Sequence, residues 1–430
     1  MVFDAVVVGI GVNGLRILSC LSLYNLTVIG FEKGRVGDTI RRWPLGIPVA
    51  GTMNELSVDV ELTTDRFCLN PDTCSKQAYL KYLNSVVAKR GLDVRELEEV
   101  TDVRALPLVA ADASAGGAAA GGEGGFWVAT RKADGSEGGV RARFVVLAVG
   151  AWGDPTPLKV PGSRLPFVAY PEELTSASRD RWTGKNVLVS GSGTTALLLA
   201  RSLCTRGARK VVVCTKAPTI RRALGYMSAK ERDQAYVTKW ARERYDVTDM
   251  VLQDDLDFME EFRNQEVFQA LQNWQRQGTL ELRPVCKLQA IHEDGRVELK
   301  RFDRGSRAAR GTTWCVRGQG LRGSIIEVVD ADLVVASSGH DLESLLPTRL
   351  PFPKGQVDAQ TGETTIAGVF AIGFDPPGSG KHHYGILQEG KIIYDNWMCW
   401  GGFAARNTCS EIARRIRRIR QNSRVPAANR

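Results

Sequence analysis

A glycine-rich turn near the N-terminus constrains the fold of this chain more than any other part of the sequence. The apolar run 5–8 predicts a β-strand, and Gly9, Gly11 and Gly14 follow it with the spacing GxGxxG. A helix is predicted from Asn13 to about Tyr24, so the turn joins a strand to a helix. There the first glycine allows a tight turn, the second lets backbone approach a pyrophosphate, and the third allows close packing of helix on strand. The helix N-terminus adds N–H groups and a partial positive charge.

A carboxylate follows this turn where a dinucleotide-binding fold places one. Residues 26–31 predict the second strand, which ends at Glu32, 18 residues after Gly14. A carboxylate there accepts hydrogen bonds from the hydroxyl groups of an adenosine ribose. We therefore predict a dinucleotide site that includes Glu32, its neighbour Lys33 and Asn13 of the turn. The alternative is a glycine turn that holds no ligand.

A second strand, glycine turn and helix occur in the middle of the chain. The strand is predicted over 187–189 and the helix over about 194–206. Ala196 replaces the third glycine of the motif, which the dinucleotide fingerprint tolerates. This segment predicts a second nucleotide site. The residues expected to contact that nucleotide are Gly191, Gly193, Thr194 and Thr195.

Cations, not a carboxylate, follow the next predicted strand, 211–213. Lys216 comes soon after this strand, and Arg221 and Arg222 lie a few residues further on. A ribose hydroxyl requires an acceptor at this position, whereas a 2′-phosphate requires cations. We therefore predict NADP as the preferred nucleotide, with NAD as the alternative. The simpler explanation is that these three cations face solvent.

The order of the predicted elements indicates that one nucleotide-binding domain is inserted into another. Predicted buried strands at 143–148, 332–336 and 368–372 each end near a glycine, and strands flanking the low-complexity segment 109–125 predict a β-meander. The chain returns to the first Rossmann-like unit after completing the second. The predicted fold class is α/β, with two nested Rossmann-like domains and a β-meander. The outer domain is predicted over 1–160 and 338–430, and the inserted domain over 161–337.

Cysteine usage and apolar patterning limit the class of protein and its location. The nine cysteines include no C-x-x-C pair, so neither a disulfide framework nor a zinc site is indicated. No apolar run has the length needed to cross a bilayer, and the first nine residues lead directly into a strand. We expect a cytoplasmic protein with reduced thiols, no metal and no transmembrane segment.

The formal net charge of +9 is concentrated near the C-terminus. Ile412, Ile416 and Ile419 recur there at helical spacing, among five arginines at 414, 415, 417, 418 and 420. A basic amphipathic helix of this kind can bind an anionic membrane or a nucleic acid. It can also dock its isoleucines on the protein body and leave its arginines solvated. We favour the docked helix and expect no nucleic-acid partner.

Several of these motifs together resemble one flavoprotein group. The chain resembles flavoproteins with two dinucleotide-binding domains, which include thioredoxin reductases and class B flavin monooxygenases. It is most similar to the bacillithiol-disulfide-reductase-like branch. The resemblance spans nearly the whole chain and rests on the segments 9–14, 32–33, 42–44, 75–83, 150–155, 158–162 and 191–196.

The resemblance implies where each cofactor binds. It places FAD in the outer domain, with backbone contacts from Val103 to the adenine and with Gly150 and Gly373 beside the flavin. Trp43 would lie near the isoalloxazine ring. His383 precedes a helix predicted over about 385–397, where it could donate a proton to the flavin, cap the helix or bind a phosphate. NAD(P)H would bind in the inserted domain, and relatives are usually homodimers.

The chain also departs from the family pattern. Phe374 stands where relatives often have an aspartate, and Asn13 stands where the disulfide-reductase branch often has a cysteine. The C-x-x-C dithiol of thioredoxin reductases is missing. The monooxygenase histidine between the nucleotide motifs is also missing, because 167–182 contains no His. The cofactor motifs are therefore more specific than the substrate motifs.

The sequence predicts an FAD-dependent oxidoreductase that takes hydride from NAD(P)H and passes electrons to a small disulfide or another acceptor. The acceptor is a small molecule or a small redox protein. Three alternatives remain open: an NAD(P)H:ferredoxin-type reductase, a flavin monooxygenase, and a non-catalytic flavin-binding or nucleotide-sensing protein. An acidic ferredoxin would suit a basic protein. No catalytic side chain is assigned.

Overall fold

The chain divides into two compact units. Unit 1 comprises Met1–Arg41, Val49–Asp154 and Asp341–Arg430, and unit 2 comprises Arg42–Pro48 and Pro155–His340. The sequence placed the corresponding boundaries after 160 and 337, and assigned 42–48 to the first domain. The computed structural model describes residues 1–43, 58–59, 76–106, 125–150, 154–191, 194–215, 270–271, 273–284, 286–301, 325–337, 340–341, 358, 361–372, 386–388, 391–393 and 397–422.

Strands and helices alternate as an α/β fold requires, and the predicted fold class is confirmed. The strands are β1 (Val2–Val8), β2 (Val28–Glu32), β3 (Val94–Glu96), β4 (Glu98–Ala105), β5 (Phe126–Lys132), β6 (Glu137–Leu147), β7 (Asp154–Pro155), β8 (Val168–Ala169), β9 (Asn186–Ser190), β10 (Lys210–Thr215), β11 (Leu280–Pro284), β12 (Cys286–Ile291), β13 (Arg296–Arg301), β14 (Ile325–Asp330), β15 (Leu333–Ala336), β16 (His340–Asp341), β17 (Val369–Ala371), β18 (Ile386–Gln388) and β19 (Lys391–Ile393). The helices are α1 (Val12–Leu23), α2 (Asp38–Arg42), α3 (Lys76–Arg90), α4 (Thr194–Thr205) and α5 (Trp397–Asn422). Two short 3₁₀ segments span Pro171–Glu173 and Ser176–Arg181.

The parallel sheet of unit 1 has the order β3-β2-β1-β6-β17. Val6, Val7 and Val8 of β1 are buried because both faces of a parallel sheet are covered. Val8 pairs with Phe31 on one side and with Leu147 on the other. This register brings the carboxyl ends of β1, β2 and β6 to one edge of the sheet, where the first glycine turn begins.

The predicted β-meander lies in unit 1. The first half of β6 pairs antiparallel with β5, which pairs antiparallel with β4. Val103 and Val128 are opposite each other in this meander, and both pack into one core cluster with Val6 and Ile29. The meander therefore covers one face of the parallel sheet that forms the first turn.

Helix α5 packs against α1. Its buried residues include Cys409, Ile412 and Ile416, which recur at the spacing of one helix face. The Cys409 thiol lies 3.7 Å from the carbonyl oxygen of Ile17 in α1. The isoleucine stripe of the sequence is thus part of the core of unit 1.

Carboxylates hold several arginines of α5. Arg415 donates to both oxygens of Glu363, at 2.7 and 2.6 Å, and also to Glu411. Arg420 donates to Asp4 at 2.7 Å, and Asp4 is almost fully buried. The isoleucine stripe thus docks on unit 1 as the docked-helix alternative predicts, whereas Arg415 and Arg420 pair with carboxylates and are not simply solvated.

Unit 2 repeats the sheet of unit 1. Its parallel order is β11-β10-β9-β15-β8, and Ser190 at the end of β9 pairs with Cys214 and Ala336. A separate antiparallel sheet, β12-β13-β14, packs on one face through Leu288 and Leu299. The carboxyl ends of β9, β10 and β15 meet at the edge where the second glycine turn begins.

The helix predicted over about 385–397 is wrong. Residues 386–388 and 391–393 form the paired strands β18 and β19, and α5 begins only at Trp397. Isoleucines at 386, 392 and 393 favour strands, and Gly390 is unfavourable inside a helix. Among the helices of the described residues, none is both long and apolar enough to cross a bilayer.

Candidate functional site

The first glycine turn is closed by backbone contacts that require glycine at two positions. Gly9 has a φ of +87°, and a Cβ there would lie 2.8 Å from the carbonyl oxygen of Ala148. A Cβ on Gly14 would overlap the carbonyl oxygen of Gly9. The Gly9 N–H donates to Phe31 at 2.8 Å, which ties the turn to β2. Helix α1 therefore starts directly beneath the ends of β1 and β6.

Gly11 differs from these two glycines because the space beside it is open. A Cβ on Gly11 would meet no atom within 4 Å. Gly11 is also the N-cap of α1, and no side chain caps the helix there. The first N–H groups of α1, together with the helix dipole, can therefore receive an anionic group. This open N-terminus fits the pyrophosphate of a dinucleotide.

Glu32 lies beside this opening and is held by the turn itself. One of its oxygens accepts the Ile10 N–H at 2.7 Å, and the other accepts the Gly34 N–H at 2.9 Å. A carboxylate at this position is the acceptor group that a ribose hydroxyl of the adenosine requires. Lys33, by contrast, is exposed, and its ammonium group lies 2.9 Å from Glu99.

Asn13 is the buried polar side chain of the first helical turn. It is 8% exposed, and no donor from the described part of the chain lies within hydrogen-bond distance of its side-chain oxygen. A buried acceptor without a donor is costly, by about 1–3 kcal/mol. A ligand that brings a hydroxyl donor to this turn would satisfy it.

The second glycine turn has the same framework. The Gly191 N–H donates to the carbonyl oxygen of Cys214 at 3.0 Å, as the Gly9 N–H donates to that of Phe31. The Ser337 N–H donates to the carbonyl oxygen of Ser190 at 2.8 Å, as the Ala148 N–H donates to that of Val8. A Cβ on Gly191 would lie 2.6 Å from the carbonyl oxygen of Ser337. Thr194 and Thr195 open α4, as the sequence predicts. Ala196 is fully buried.

The equivalence of the two turns identifies the residue that replaces Glu32. Glu32 follows Phe31, whose carbonyl holds the first turn, and Thr215 follows Cys214, whose carbonyl holds the second. The second turn thus has a neutral residue where the first has a carboxylate. The predicted site residues Gly193, Lys216, Arg221, Arg222, Gly373 and His383 lie outside the described residues.

Three further predicted residues have defined positions. Val103 is buried in β4 with its side chain in the core of unit 1. Gly150 has a φ of +81° two residues after Ala148, and a Cβ there would meet no atom. Trp43 belongs to unit 2, where it packs against the core cluster that contains Trp182.

Ala148 and Ser337 are site residues that the sequence reasoning missed. Their carbonyl oxygens close the two turns. One sequence signal could have found them: Ala148 is the last residue of the apolar run 143–148, and Ser337 directly follows the apolar run 332–336. Among the described residues, no cluster of three His, Cys, Asp or Glu side chains is arranged to hold a metal ion.

A cavity in unit 2 lies away from the second turn. It has a volume of about 650 Å³ and is lined by Phe167, Lys185, Asp332 and Leu333, among others. Lys185 and Asp332 directly precede β9 and β15, so this cavity lies at the amino end of the sheet in unit 2. Open parallel sheets bind ligands at their carboxyl ends, and the glycine turns are there.

Comparison of the amino-acid sequence with protein-family models and with curated proteins finds no significant match. Solved structures do match. Bacillithiol disulfide reductase from Bacillus cereus is 18% identical, with a TM-score of 0.61 over 96% of this chain and 100% of that one. Ornithine N-hydroxylase from Kutzneria sp. 744 is 16% identical, with a TM-score of 0.64 over 97% of this chain and 100% of that one.

Thioredoxin reductase from T. acidophilum is 15% identical, with a TM-score of 0.52 over 95% of this chain and 98% of that one. The chain therefore has the fold of the flavoproteins with two dinucleotide-binding domains. The disulfide reductases and the hydroxylases share that fold to a similar degree.

Proposed function

We propose that this chain is an FAD-dependent oxidoreductase reduced by NAD(P)H. The observation that carries the proposal is the repeated turn: Gly9 and Gly191 each donate to the strand beside them, at 2.8 and 3.0 Å, and each precedes a helix that starts at the carboxyl edge of a parallel sheet. One such turn binds one dinucleotide. A chain with two of them can bring a nicotinamide and a flavin into a single reaction.

Unit 1 is the proposed FAD site. Gly11 leaves room for the pyrophosphate at the open N-terminus of α1, and Glu32 offers acceptors for the adenosine ribose. Asn13 offers a buried acceptor for a ligand hydroxyl. FAD bound there supplies the hydride-accepting ring, while the protein positions it and supplies the electrostatic environment.

Unit 2 is the proposed NAD(P)H site, with NADPH preferred. Its turn has no carboxylate at Thr215, the position equivalent to Glu32, so it has no charged acceptor for an adenosine 2′-hydroxyl. Lys216, Arg221 and Arg222 follow in the sequence and supply cations suited to a 2′-phosphate.

A small disulfide is the proposed acceptor of the electrons. Support comes from the similarity of the fold to bacillithiol disulfide reductases from Bacillus cereus and Staphylococcus aureus, with TM-scores of 0.61 and 0.63. Asn13 has no thiol and cannot act as a nucleophile, so any mixed disulfide must involve a cysteine elsewhere in the chain. Ferredoxin-type electron transfer needs no thiol and remains the alternative for a protein of net charge +9.

A monooxygenase is the second candidate function. The ornithine N-hydroxylase was solved with reduced FAD, NADP⁺ and L-ornithine, and its TM-score of 0.64 is as high as those of the disulfide reductases. An amine substrate would then be oxygenated. In this case oxygen uptake would depend on the amine, and the product would be a hydroxylated amine.

The decisive experiment is the visible spectrum of purified protein. We expect flavin absorption bands, FAD in the supernatant after heat denaturation, and bleaching when NADPH is added without oxygen. Slower bleaching with NADH would support the nucleotide preference. Protein that stays colourless and binds no added FAD would refute the proposal, and flavin that NADPH cannot reduce would favour a non-catalytic sensor.

The reduced protein then distinguishes the acceptors. Reoxidation is followed with a small-molecule disulfide, with a ferredoxin, and with oxygen plus an amine. Rapid reoxidation by the disulfide supports the proposed acceptor, and brisk reduction of ferredoxin alone favours the electron-transfer alternative. A homodimer and a cytoplasmic location stay predictions, which sedimentation and cell fractionation can check.

A further inference from the structure

Two cysteines of unit 2 lie together in its core. Cys214 in β10 is 2% exposed, and Cys286 at the start of β12 is 1% exposed. Both belong to the same buried cluster, which also contains Leu188 and Leu288, and their side chains are hydrogen-bonded to each other. Neither forms a disulfide bond. The two thiols are 72 residues apart in sequence, so no C-x-x-C spacing revealed them.

Charged side chains beside this pair favour an anionic sulfur. Arg283 and Arg301 each donate to Glu327 at 2.9 Å. Arg283 and Lys210 also pair with Glu281. Three cations thus share two carboxylates, which leaves one positive charge in the network. In addition, no acceptor from the described part of the chain lies within hydrogen-bond distance of the buried Nε–H of Arg283.

Cys286 differs from an ordinary buried thiol of the same unit. The hydrogen bond with Cys214 lowers the pKa of Cys286, and Arg301 and Arg283 lower it further, against the opposing effects of burial and of Glu327. Cys204 in α4 is a buried thiol of the same unit, and burial raises its pKa to about 12. The hydrogen bond and the charges beside Cys286 therefore favour its thiolate more than the surroundings of Cys204 do.

The pair also lies directly beneath the second glycine turn. The carbonyl oxygen of Cys214 accepts the Gly191 N–H at 3.0 Å, and Cys214 pairs with Ser190, the last residue before the turn. Any movement of Cys214 therefore displaces the backbone that begins the turn.

We propose that Cys214 and Cys286 form a redox-sensitive dithiol that a small hydroperoxide converts to a disulfide, and that this disulfide displaces the Gly191 turn. The Cys286 thiolate attacks one oxygen of hydrogen peroxide; the O–O bond breaks, hydroxide leaves, and a sulfenic acid forms. The Cys214 thiol then attacks that sulfur, the S–O bond breaks, and water leaves. Two thiols lose two electrons, and peroxide becomes two waters.

Disulfide formation changes the geometry of the strand end. Two sulfurs in a hydrogen bond must approach to about 2.05 Å, which moves the end of β10 towards β12. The hydrogen bond from Gly191 to Cys214 is then strained or lost. On the proposed function of this turn as the NAD(P)H site, oxidation weakens nucleotide binding by about fivefold, as the loss of one hydrogen bond implies. By linkage, bound NADPH protects the dithiol by the same factor.

The test treats the reduced full chain with hydrogen peroxide and traps remaining thiols with N-ethylmaleimide after denaturation. We expect peptide mass spectrometry to show a Cys214–Cys286 linkage in the wild type and in Cys204→Ala, but not in Cys214→Ala or Cys286→Ala. Amide exchange at the Gly191 turn should rise on oxidation and return with dithiothreitol. The Kd for NADPH should rise about fivefold in the wild type and stay within twofold in Cys286→Ala.

The linkage, amide-exchange and binding measurements can each overturn a part of the proposal. Thiols that both stay free, or a Cys204 that oxidises as fast as Cys286, would refute the dithiol. A linkage with no change in amide exchange at the turn would refute the displacement. Reduced protein that binds no nucleotide would refute the proposed function, while the linkage and exchange measurements would still decide the dithiol.

Discussion

The two glycine turns share a backbone plan and differ in their chemistry. In both, a glycine N–H donates to the neighbouring strand and the carbonyl oxygen of a third strand closes the turn. The first turn adds a carboxylate at Glu32 and a third glycine at Gly14, and the second has Thr215 and Ala196 in their places. On the proposed function, the shared framework would provide a dinucleotide site at each turn, and the side chain after the second strand would select the adenosine that each site accepts.

We expect the largest difference between the two turns when the third position of the motif is changed, which is Gly14 in the first turn and Ala196 in the second. Gly14→Ala places a Cβ on the carbonyl oxygen of Gly9, so backbone must move. We expect a loss of about 3 kcal/mol in the free energy of unfolding and no retained FAD. The counterpart Ala196→Gly should cost only about 1 kcal/mol and leave nucleotide affinity unchanged. Urea unfolding and flavin content measure both. Equal effects would show that the turns are interchangeable.

The carboxylate of the first turn gives the next largest effect. Glu32→Gln leaves one oxygen for two backbone donors, Ile10 and Gly34, so one of them loses its acceptor. Replacing the charged acceptor of the ribose hydroxyls by a neutral amide should also cost about 1–3 kcal/mol of binding free energy, so FAD should bind about 5- to 150-fold more weakly in a fluorescence titration. Glu96 also accepts a backbone N–H, from Val36 at 2.7 Å, and Glu96→Gln is the matched control. A similar loss of FAD in this control would refute a specific role for Glu32.

Introducing that carboxylate into the second turn should change the nucleotide preference. Thr215→Glu places an acceptor for a ribose hydroxyl beside the second site and repels a 2′-phosphate. We expect the ratio of kcat/KM for NADPH to that for NADH to fall about tenfold, since charged hydrogen bonds contribute about 1.5–3 kcal/mol. Thr215→Gln, of similar size and without charge, should shift the ratio far less. An unchanged ratio in Thr215→Glu would show that this position does not contact the ribose.

Replacing Asn13 should give the smallest effect. The replacement should stabilise the protein without FAD but weaken its affinity for FAD. Asn13→Ala removes a buried oxygen that no described residue satisfies, and alanine favours the helix. Without FAD, the variant should be more stable than the wild type by about 0.5–1 kcal/mol in thermal unfolding. With FAD, its affinity should be about fivefold weaker. An apoprotein that loses stability would show that Asn13 has a structural role in the turn.

The local elements of both turns could be predicted because glycine spacing and strand patterning are local signals. Gly9 and Gly191 each lie where the motif placed them, between a buried strand and a helix. The closing carbonyls of Ala148 and Ser337 could not be predicted in this way, because each comes from a strand far along the sequence. The contact of Cys214 with Cys286 was missed for the same reason. It depends on how the sheet β12-β13-β14 packs against β10, which no local pattern encodes.

The wrong prediction of a helix over 385–397 also has a physical reason. Residues 385–397 were assigned to a helix from the sequence, although isoleucines at 386, 392 and 393 favour the observed strands and glycine at 390 is unfavourable inside a helix. The arginines of α5 were identified correctly as a helical cluster, but their partners Glu363 and Asp4 come from distant parts of the chain. Tertiary ion pairs of this kind are invisible to sequence periodicity.

The packing of α5 on α1 determines the order in which the protein can be completed during synthesis. β1 and α1 leave the ribosome first, but Ile412 and Ile416, which pack against unit 1, are made after all of unit 2. At about 5–20 residues per second, the intervening segment 155–340 takes roughly ten to forty seconds to translate. At the end of this interval unit 2 has its whole sequence and can form its core, while the face of α1 that α5 covers is still exposed. We expect a chain that is truncated before Trp397 to leave this face of α1 exposed and to aggregate more readily than the full chain.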